Sequence, residues 1–423
     1  MARPLRFCMV TTFYPPYHFG GDGVFVYRLS NELAQRGHTV SVIHNIDAYH
    51  ALHPAEPCGQ YANHPNITVH GMKSRAAVAS SLLIQQTGGP GILRSELQGI
   101  IECGKYDVIH YHNISLIGPQ ALEYGGRDAV KLYTMHEYWL VCPTHILFKY
   151  NREACSRPNC FMCSIAHKRP PQLWRYTGML ERSLKHVDAF ISPSKFTAQM
   201  HKAMGLTVPT VHIPMFVPAP DNRDVRACHA NRRRHERPYF LFVGRLEKIK
   251  GLHDVLQALR HYDKADLLII GTGTYEDQLR SLGNVNQAIK FLGPLPYDEL
   301  AELYEQAIAV IVPSLCYETF GQIIVEAFSF KTPVIVKDIG ALRELVTESG
   351  GGELYQGDAG LIAAMERFRL DRDFRDRCGQ LGYRAYQRLW TTERYFAQYF
   401  ALIDEIRRQK HLSNEALPHS ISA

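Results

Sequence analysis

The sequence predicts an α/β protein made of two doubly wound parallel sheets, and three observations predict it. Short β-rich apolar runs alternate with longer amphipathic stretches; the same rhythm restarts at residue 238; and a segment rich in Pro, Arg and Asn separates the two series. A chain of 423 residues exceeds what one core usually serves, so two domains are expected. Hydrophobic residues make up 46% and charged residues 21%, ordinary values for folded globular proteins, which excludes disordered and fibrous classes.

In the first half, "RFCMVTTF", "TVSVIH", "ITVHGM", "YDVIHYH", "KLYTMH", "DAFISPS" and "TVHIPM" read as strands. In the second, "PYFLFVG", "ADLLIIG", "IKFLG", "IAVIVPS" and "TPVIVKD" each end in Gly, Ser or Asp, as strand-to-helix turns do. "VPAPDNRDVRACHANRRRHERP" lacks apolar periodicity and reads as a solvated linker. "TTERYFAQYFALIDEIRRQK" has helical spacing, acid at its start and base at its end, which predicts a long terminal helix, and "LSNEALPHSISA" after it is expected to fray. The predicted domains are 1–215, with a Cys-rich insertion at 142–163, and 238–390, joined by a linker at 216–237. Residues 391–423 are expected to pack back on the first domain.

The formal net charge of +6 suits an anionic ligand or the anionic face of a membrane but falls short of a nucleic-acid signature, so no nucleic-acid partner is expected. No apolar run reaches membrane-spanning length, and "MARPLRFCMVTTF" enters a strand directly. The expectation is a cytoplasmic protein with peripheral contact at the inner membrane face.

In "SLCYETFGQIIVEAF", Glu318 and Glu326 are separated by seven residues. A helix starting near 319–321 would hold them on the order of 10 to 12 Å apart. Glycosidase carboxylates stand about 5 to 9.5 Å apart, so a clamp around a long ligand fits better than a hydrolytic pair. The bland alternative makes Glu318 a helix-dipole acid and Glu326 a solvated charge. In "FLFVGRLEKIKGL", Arg245 and Lys250 open a helix at the C-terminal edge of a parallel sheet, where two cations can hold a diphosphate or simply flank a turn.

Together, "VGRLEKIKG" and "PSLCYETFGQIIVEAFSFKTPVI" resemble the donor-binding half of the retaining glycosyltransferases of family 4. The resemblance extends to "FYPPYHFGGDGVFVYRLSNELAQRGHTVSVIH", "DVIHYHN", "MHEYWLVCP" and "LIIGTGTYEDQLRSLG", most of the chain. It implies the GT-B fold, two facing Rossmann-like domains with a cleft between them, and transfer of a hexose-type sugar from a nucleotide-diphosphate-sugar donor. The acceptor is a glycan, lipid-linked or small-molecule one.

The resemblance also implies site residues. Arg245 and Lys250 would bind the diphosphate, Glu326 the ribose and Glu318 the transferred sugar. The backbone of Phe320, Gly321 and Gln322 would complete the site, and Gly293 to Leu295 would lie against the base. Thr319 stands where the family often has Gly, and Tyr317 follows one subset of it, which leaves the sugar open. Gly20, Gly21 and Gly23 lie between a strand and a helix, and Gly20 and Gly21 are candidates for contact with the leaving phosphate; a plain tight turn is the alternative. His136 ends a strand where the family often has a His beside the sugar. One of His110 and His112 is expected to face the cleft, and Tyr14, Tyr17, His18 and Phe19 either stack on an acceptor or pack their loop.

The implied chemistry retains anomeric configuration, with no cofactor or metal needed for catalysis and charge on the leaving group met by Arg245, Lys250 and helix N–H groups. Asp371 and Asp373 sit in a charged helical pattern and are rejected as a metal motif. Cys142, Cys155, Cys160 and Cys163 read as a structural zinc site, as packed reduced thiols, or as disulfides in an oxidising compartment. A nucleotide-sugar epimerase or hydrolase on the same fold is the runner-up. A dinucleotide-dependent oxidoreductase lacks a clean G-x-G-x-x-G with its acid.

Overall fold

The computed structural model describes residues 3–57, 59–220 and 235–415. Most of the predicted strand runs form because they are apolar along both faces, the pattern that parallel strands covered by helices require, while those at the sheet edges are partly exposed. In the first domain these are β1 (Arg6–Val10), β2 (Thr39–Asn45), β3 (Ile67–Met72), β4 (Val108–Tyr111) and β5 (Val130–Thr134). A short antiparallel hairpin follows, β6 (Phe148–Lys149) with β7 (Glu153–Ala154), then β8 (Ala189–Ser192) and β9 (Thr210–His212). The seven-stranded sheet has the order β3-β2-β1-β4-β5-β8-β9, with every neighbouring pair parallel.

The second domain repeats the plan with β10 (Tyr239–Val243), β11 (Asp266–Ile270), β12 (Ile289–Gly293), β13 (Val310–Val312), β14 (Val334–Lys337) and β15 (Gly352–Tyr355). Their order is β12-β11-β10-β13-β14-β15, all parallel. In both sheets the winding reverses beside the first strand, and the crevice at such a reversal is where doubly wound sheets bind ligands. Two strand features escape sequence reading. β15 is a short edge strand opened by Gly352 and mostly half-buried, and the hairpin strands are two residues each, too short for a periodic signal.

One apolar cluster runs through both domains, joining Phe7 and Phe25 of the first to Phe320 and Phe328 of the second by way of Phe216 and Trp390. The chain therefore holds its two sheets against a shared core. The terminal helix, Thr392–Glu415, lies on the first domain: Tyr399 stacks on Phe7 at 6.3 Å, and Lys410 Nζ reaches Asp188 at 2.8 Å. The expected linker at 216–237 falls largely on 221–234, outside the described residues, as do 416–423 of the expected terminal segment. Among the described residues, no helix is long and apolar enough to cross a membrane.

Candidate active site

At the end of β10 the chain turns at Gly244 into a loop carrying exposed Arg245, then into a short turn, Lys248–Lys250. Gly251 closes that turn at φ 70°, and a Cβ there would stand 2.1 Å from the Pro313 carbonyl oxygen. Only glycine permits this approach, which presses the Lys250 turn against the loop after β13. Lys250 Nζ consequently meets Glu318 Oε1 at 2.5 Å, and Ser314 Oγ donates to the same oxygen at 2.8 Å. Burial pushes the Glu318 carboxyl up, but the Lys250 ammonium and these hydrogen bonds outweigh it and hold it below its ordinary value. Burial likewise opposes the Lys250 charge, and Glu318 more than restores it.

The following helix spans Gln322–Ser329, so Glu318 lies ahead of it in the loop, and the all-helical separation assumed for the two carboxylates does not apply. Glu326 is buried at 8% exposure, within 3.4 Å of both Arg28 Nη1 and the Tyr304 hydroxyl. Burial holds its carboxyl above the ordinary range against the pull of Arg28. Neither acid is a solvated helix charge. Phe320 buries its side chain in the shared core, and Gly321 (φ 106°) turns the chain into the helix. Gly293 ends β12, where its carbonyl accepts from the Gly271 N–H at 2.9 Å.

The first domain faces this loop set. Gly20 precedes the helix Gly21–Gln35 and Gly21 opens it. A Cβ on Gly20 would stand 3.9 Å from Arg245 Nε, and one on Gly21 would stand 3.1 Å from Gln322 Oε1. The glycine turn and the cationic loop thus oppose each other across the cleft. Close by, Asn113 Nδ2 donates to Asp22 at 3.0 Å.

His136 lies two residues past β5 and keeps part of its surface open. Its Nε2 is 2.9 Å from Nδ1 of His112, and its carbonyl accepts from Thr319 Oγ1 at 2.9 Å. Thr319 in turn accepts at its own carbonyl from Ser194 Oγ at 2.8 Å and Thr197 Oγ1 at 2.9 Å, bolting the two domains at the cleft floor. Burial pushes His136 down to about 4 despite the nearby Asp22 carboxylate, and holds His110 and His112 well below the ordinary histidine value, so all three are neutral near pH 7.

The aromatic stretch mainly packs its own loop. Tyr14 is buried and donates to Asn63 Oδ1 at 2.7 Å, Phe19 stacks on Tyr49 at 4.7 Å, Tyr17 stacks on His44 at 5.8 Å, and His18 Nε2 is 3.1 Å from the Tyr61 hydroxyl. Asp371 caps a helix by accepting from the Phe374 N–H at 2.8 Å. The four thiols of the insertion line one cavity of about 20 Å³, room for roughly a single water. Among the described residues, however, no three His, Cys, Asp or Glu groups are arranged to hold a metal ion. Cys163 Sγ instead accepts the Tyr150 N–H at 3.4 Å, Cys142 Sγ contacts Thr144 Oγ1 at 3.3 Å, and burial pushes the Cys155 thiol up to about 11.

Sequence reading missed Arg28, Tyr304, Asp22, Asn113, Ser194 and Thr197. Arg28 pairs with a residue 298 positions away, and no local pattern signals that.

Residues 19–220 match the family model described as Glycosyltransferase Family 4, and residues 228–385 match the one described as Glycosyl transferases group 1. The chain belongs to glycosyltransferase family 4. An uncharacterized glycosyltransferase of Methanocaldococcus jannaschii is 24% identical, over 88% of this chain and 91% of its own length. Among solved structures, sucrose-phosphate synthase from Thermosynechococcus elongatus superposes with a TM-score of 0.72 at 19% identity, covering 95% of this chain and 99% of the other. The Anabaena protein HepE, in complex with UDP and glucose, gives 0.60 at 15% identity, covering 98% and 100%. The two facing sheets are thus the GT-B fold of this family, and the protein is a hexosyl-type glycosyltransferase that draws on a nucleotide sugar. The epimerase or hydrolase reading is not favoured.

Proposed function

We propose that this family 4 glycosyltransferase is a retaining enzyme whose donor lies across the cleft between Arg245 and the Gly20–Gly21 turn. The observation that carries this reading is the opposition of a cationic loop and a glycine turn at the reversal points of two facing sheets. Arg245 and Lys250 grip the diphosphate, the N–H groups of Phe320 to Gln322 complete the site, Glu326 takes the ribose hydroxyls, and Gly293 to Leu295 flank the base. Glu318 holds hydroxyls of the transferred sugar, with Lys250 shared between acid and phosphate. In the reaction, the C1–O bond to the diphosphate breaks and its electron pair leaves with the phosphate. The acceptor oxygen bonds C1 on that same face, and its proton passes to a leaving-phosphate oxygen, so configuration is kept. His136 lies beside the sugar. Arg245, Lys250 and the N–H groups meet the charge that develops.

The acceptor is a glycan or a lipid-linked sugar, and the protein works in the cytoplasm at the inner membrane face. Exposed Val78, Leu82, Leu83 and Ile92, with exposed Lys73 and Arg75 just upstream, support contact with an anionic lipid surface. For the Cys142, Cys155, Cys160 and Cys163 cavity, reduced thiols packed under a loop fit the arrangement better than zinc.

Thermal unfolding with a panel of UDP-, GDP- and ADP-sugars tests the donor site, because a ligand bound only by the folded chain raises Tm. One base is expected to stand out. Arg245→Ala and Lys250→Ala should each weaken its binding by about tenfold or more, the scale of a lost charge-assisted hydrogen bond. Undiminished binding in both variants would remove the cationic loop from the site.

A further inference from the structure

The bonds that fasten the two domains at the cleft floor are short. Ser194 and Thr197 reach the Thr319 carbonyl at 2.8 and 2.9 Å, and the Glu344 carboxylate accepts from the backbone N–H groups of Lys195 and Phe196 at 2.9 and 2.8 Å. The cross-domain pair of Arg28 and Glu326 is different. Arg28 Nη1 stands 3.4 Å from Oε1, a single loose contact, and the Tyr304 hydroxyl stands equally far from Oε2. Arg369, by contrast, closes two prongs on Glu366 at 2.9 and 2.7 Å. An arginine kept only to tie one domain to the other would be expected to close in the same way.

The looseness leaves bonding capacity unused. An ionised carboxylate has about four lone-pair sites and a guanidinium five N–H donors. Among the described residues, two of those sites and one of those donors are engaged. Both side chains are largely out of water, at 19% and 11% exposure, where unmet capacity is costly. An anion would satisfy the arginine alone and an amine the glutamate alone. A vicinal diol suits both, since each hydroxyl can donate to the carboxylate and accept from the guanidinium. Glu326 lies one helical turn past Gln322, and Arg28 two turns past Gly21, so the pair continues the seam at which Gly21 meets Gln322. Burial pushes the Tyr297 hydroxyl up to about 12, with the Glu326 carboxylate adding to the rise and Arg28 opposing it. The pair thus lies within electrostatic reach of the chain just past Gly293 to Leu295.

We propose that Arg28 is a positioning residue of the nucleotide site: supplied by the first domain, it orients the Glu326 carboxylate toward the ribose hydroxyls and balances its charge, so that the ribose is gripped only when the two domains meet. This deepens the reading in which Glu326 takes the ribose, and rests on it. Without the guanidinium, burial of Glu326 is less opposed and its carboxyl takes up a proton more readily. The charge-assisted bonds to the diol then become neutral ones, roughly half as strong.

The test compares, by calorimetric titration of the full chain, whichever of UDP, GDP and ADP raises its Tm with the 2′-deoxy and 3′-deoxy counterparts. The parent protein is expected to prefer the ribonucleotide by about tenfold or more over at least one of them. Arg28→Met should erase most of that preference, and Arg28→Lys, which keeps a charge on the same helix, should restore part of it. Combined with Glu326→Gln, Arg28→Met should add little, because both act on one set of bonds. A merely loosened interface weakens both nucleotides alike and leaves their ratio unmoved. Arg28→Gln carries the same expectation and serves if the Met variant fails to fold. An undiminished preference in a folded Arg28 variant, with the preference lost in Glu326→Gln, makes Arg28 an interdomain fastener and overturns the proposal. A preference that survives Glu326→Gln, or no binding of any of the three nucleotides, overturns the ribose reading instead, and the proposal falls with it.

Discussion

Lys250 and Glu318 show how a residue-level fact becomes a pH dependence. Glu318 titrates lower in the folded chain than in the unfolded one, so its contribution is present above the unfolded carboxylate value, about 4.3, and is lost as pH falls through its folded value. Lys250 titrates higher when folded, so its contribution is present below about 10.4 and is lost as pH rises through its folded value. Chemical denaturation across pH should therefore show a plateau between those limits. Glu318→Gln should flatten the acid limb and lower stability at neutral pH, because it strands a half-buried ammonium. Glu326 has the opposite sign: its raised folded value means that ionisation costs stability as pH rises past the carboxylate range. Glu326→Gln should leave the unliganded Tm at pH 7 unchanged or higher while shrinking the rise produced by nucleotide. A lowered Tm with a parent-like nucleotide response would make Glu326 structural.

At the level of elements, the site is set by turns that only glycine can make. Gly251→Ala would drive a methyl group into the Pro313 carbonyl, and the strain can be relieved only by parting the β10 and β13 loops. A loss of about 1 to 3 kcal/mol in urea unfolding is expected, together with weakened nucleotide binding, since Lys250 precedes this turn. The glycines at 20 and 21 were legible as a turn between a strand and a helix. That they confront Arg245 and Gln322 was not, because those partners come from a different domain. The Cys142 to Cys163 insertion was legible as a cluster, and its thiols do share a cavity, but spacing alone could not tell a metal cage from packed thiols.

On the scale of the whole molecule, the terminal helix belongs to the first domain's structure although it follows the second in sequence. Tyr395, Phe396, Tyr399, Ile403 and Ile406 are buried along it. At about 1.5 to 3 kcal/mol for each large apolar side chain, deleting the chain after Trp390 removes a sizeable part of a domain's whole stability. That truncation should abolish cooperative unfolding of the first domain while leaving the β10–β15 domain protected in limited proteolysis. Loss of protection in both domains at once would show that the shared core makes them a single folding unit.

The sequence by itself determined the two parallel sheets, the family, and the residue types proposed for the donor site, since periodicity, turn chemistry and short motifs are local and survive without coordinates. Only the tertiary structure decided which partners those residues take: Arg28 with Glu326, Thr319 with His136, His112 with His136, Lys250 with Glu318. The physical reason is that a hydrogen bond or ion pair depends on distances of about 3 Å between groups far apart along the chain, and those distances exist only once both sheets close on their common core.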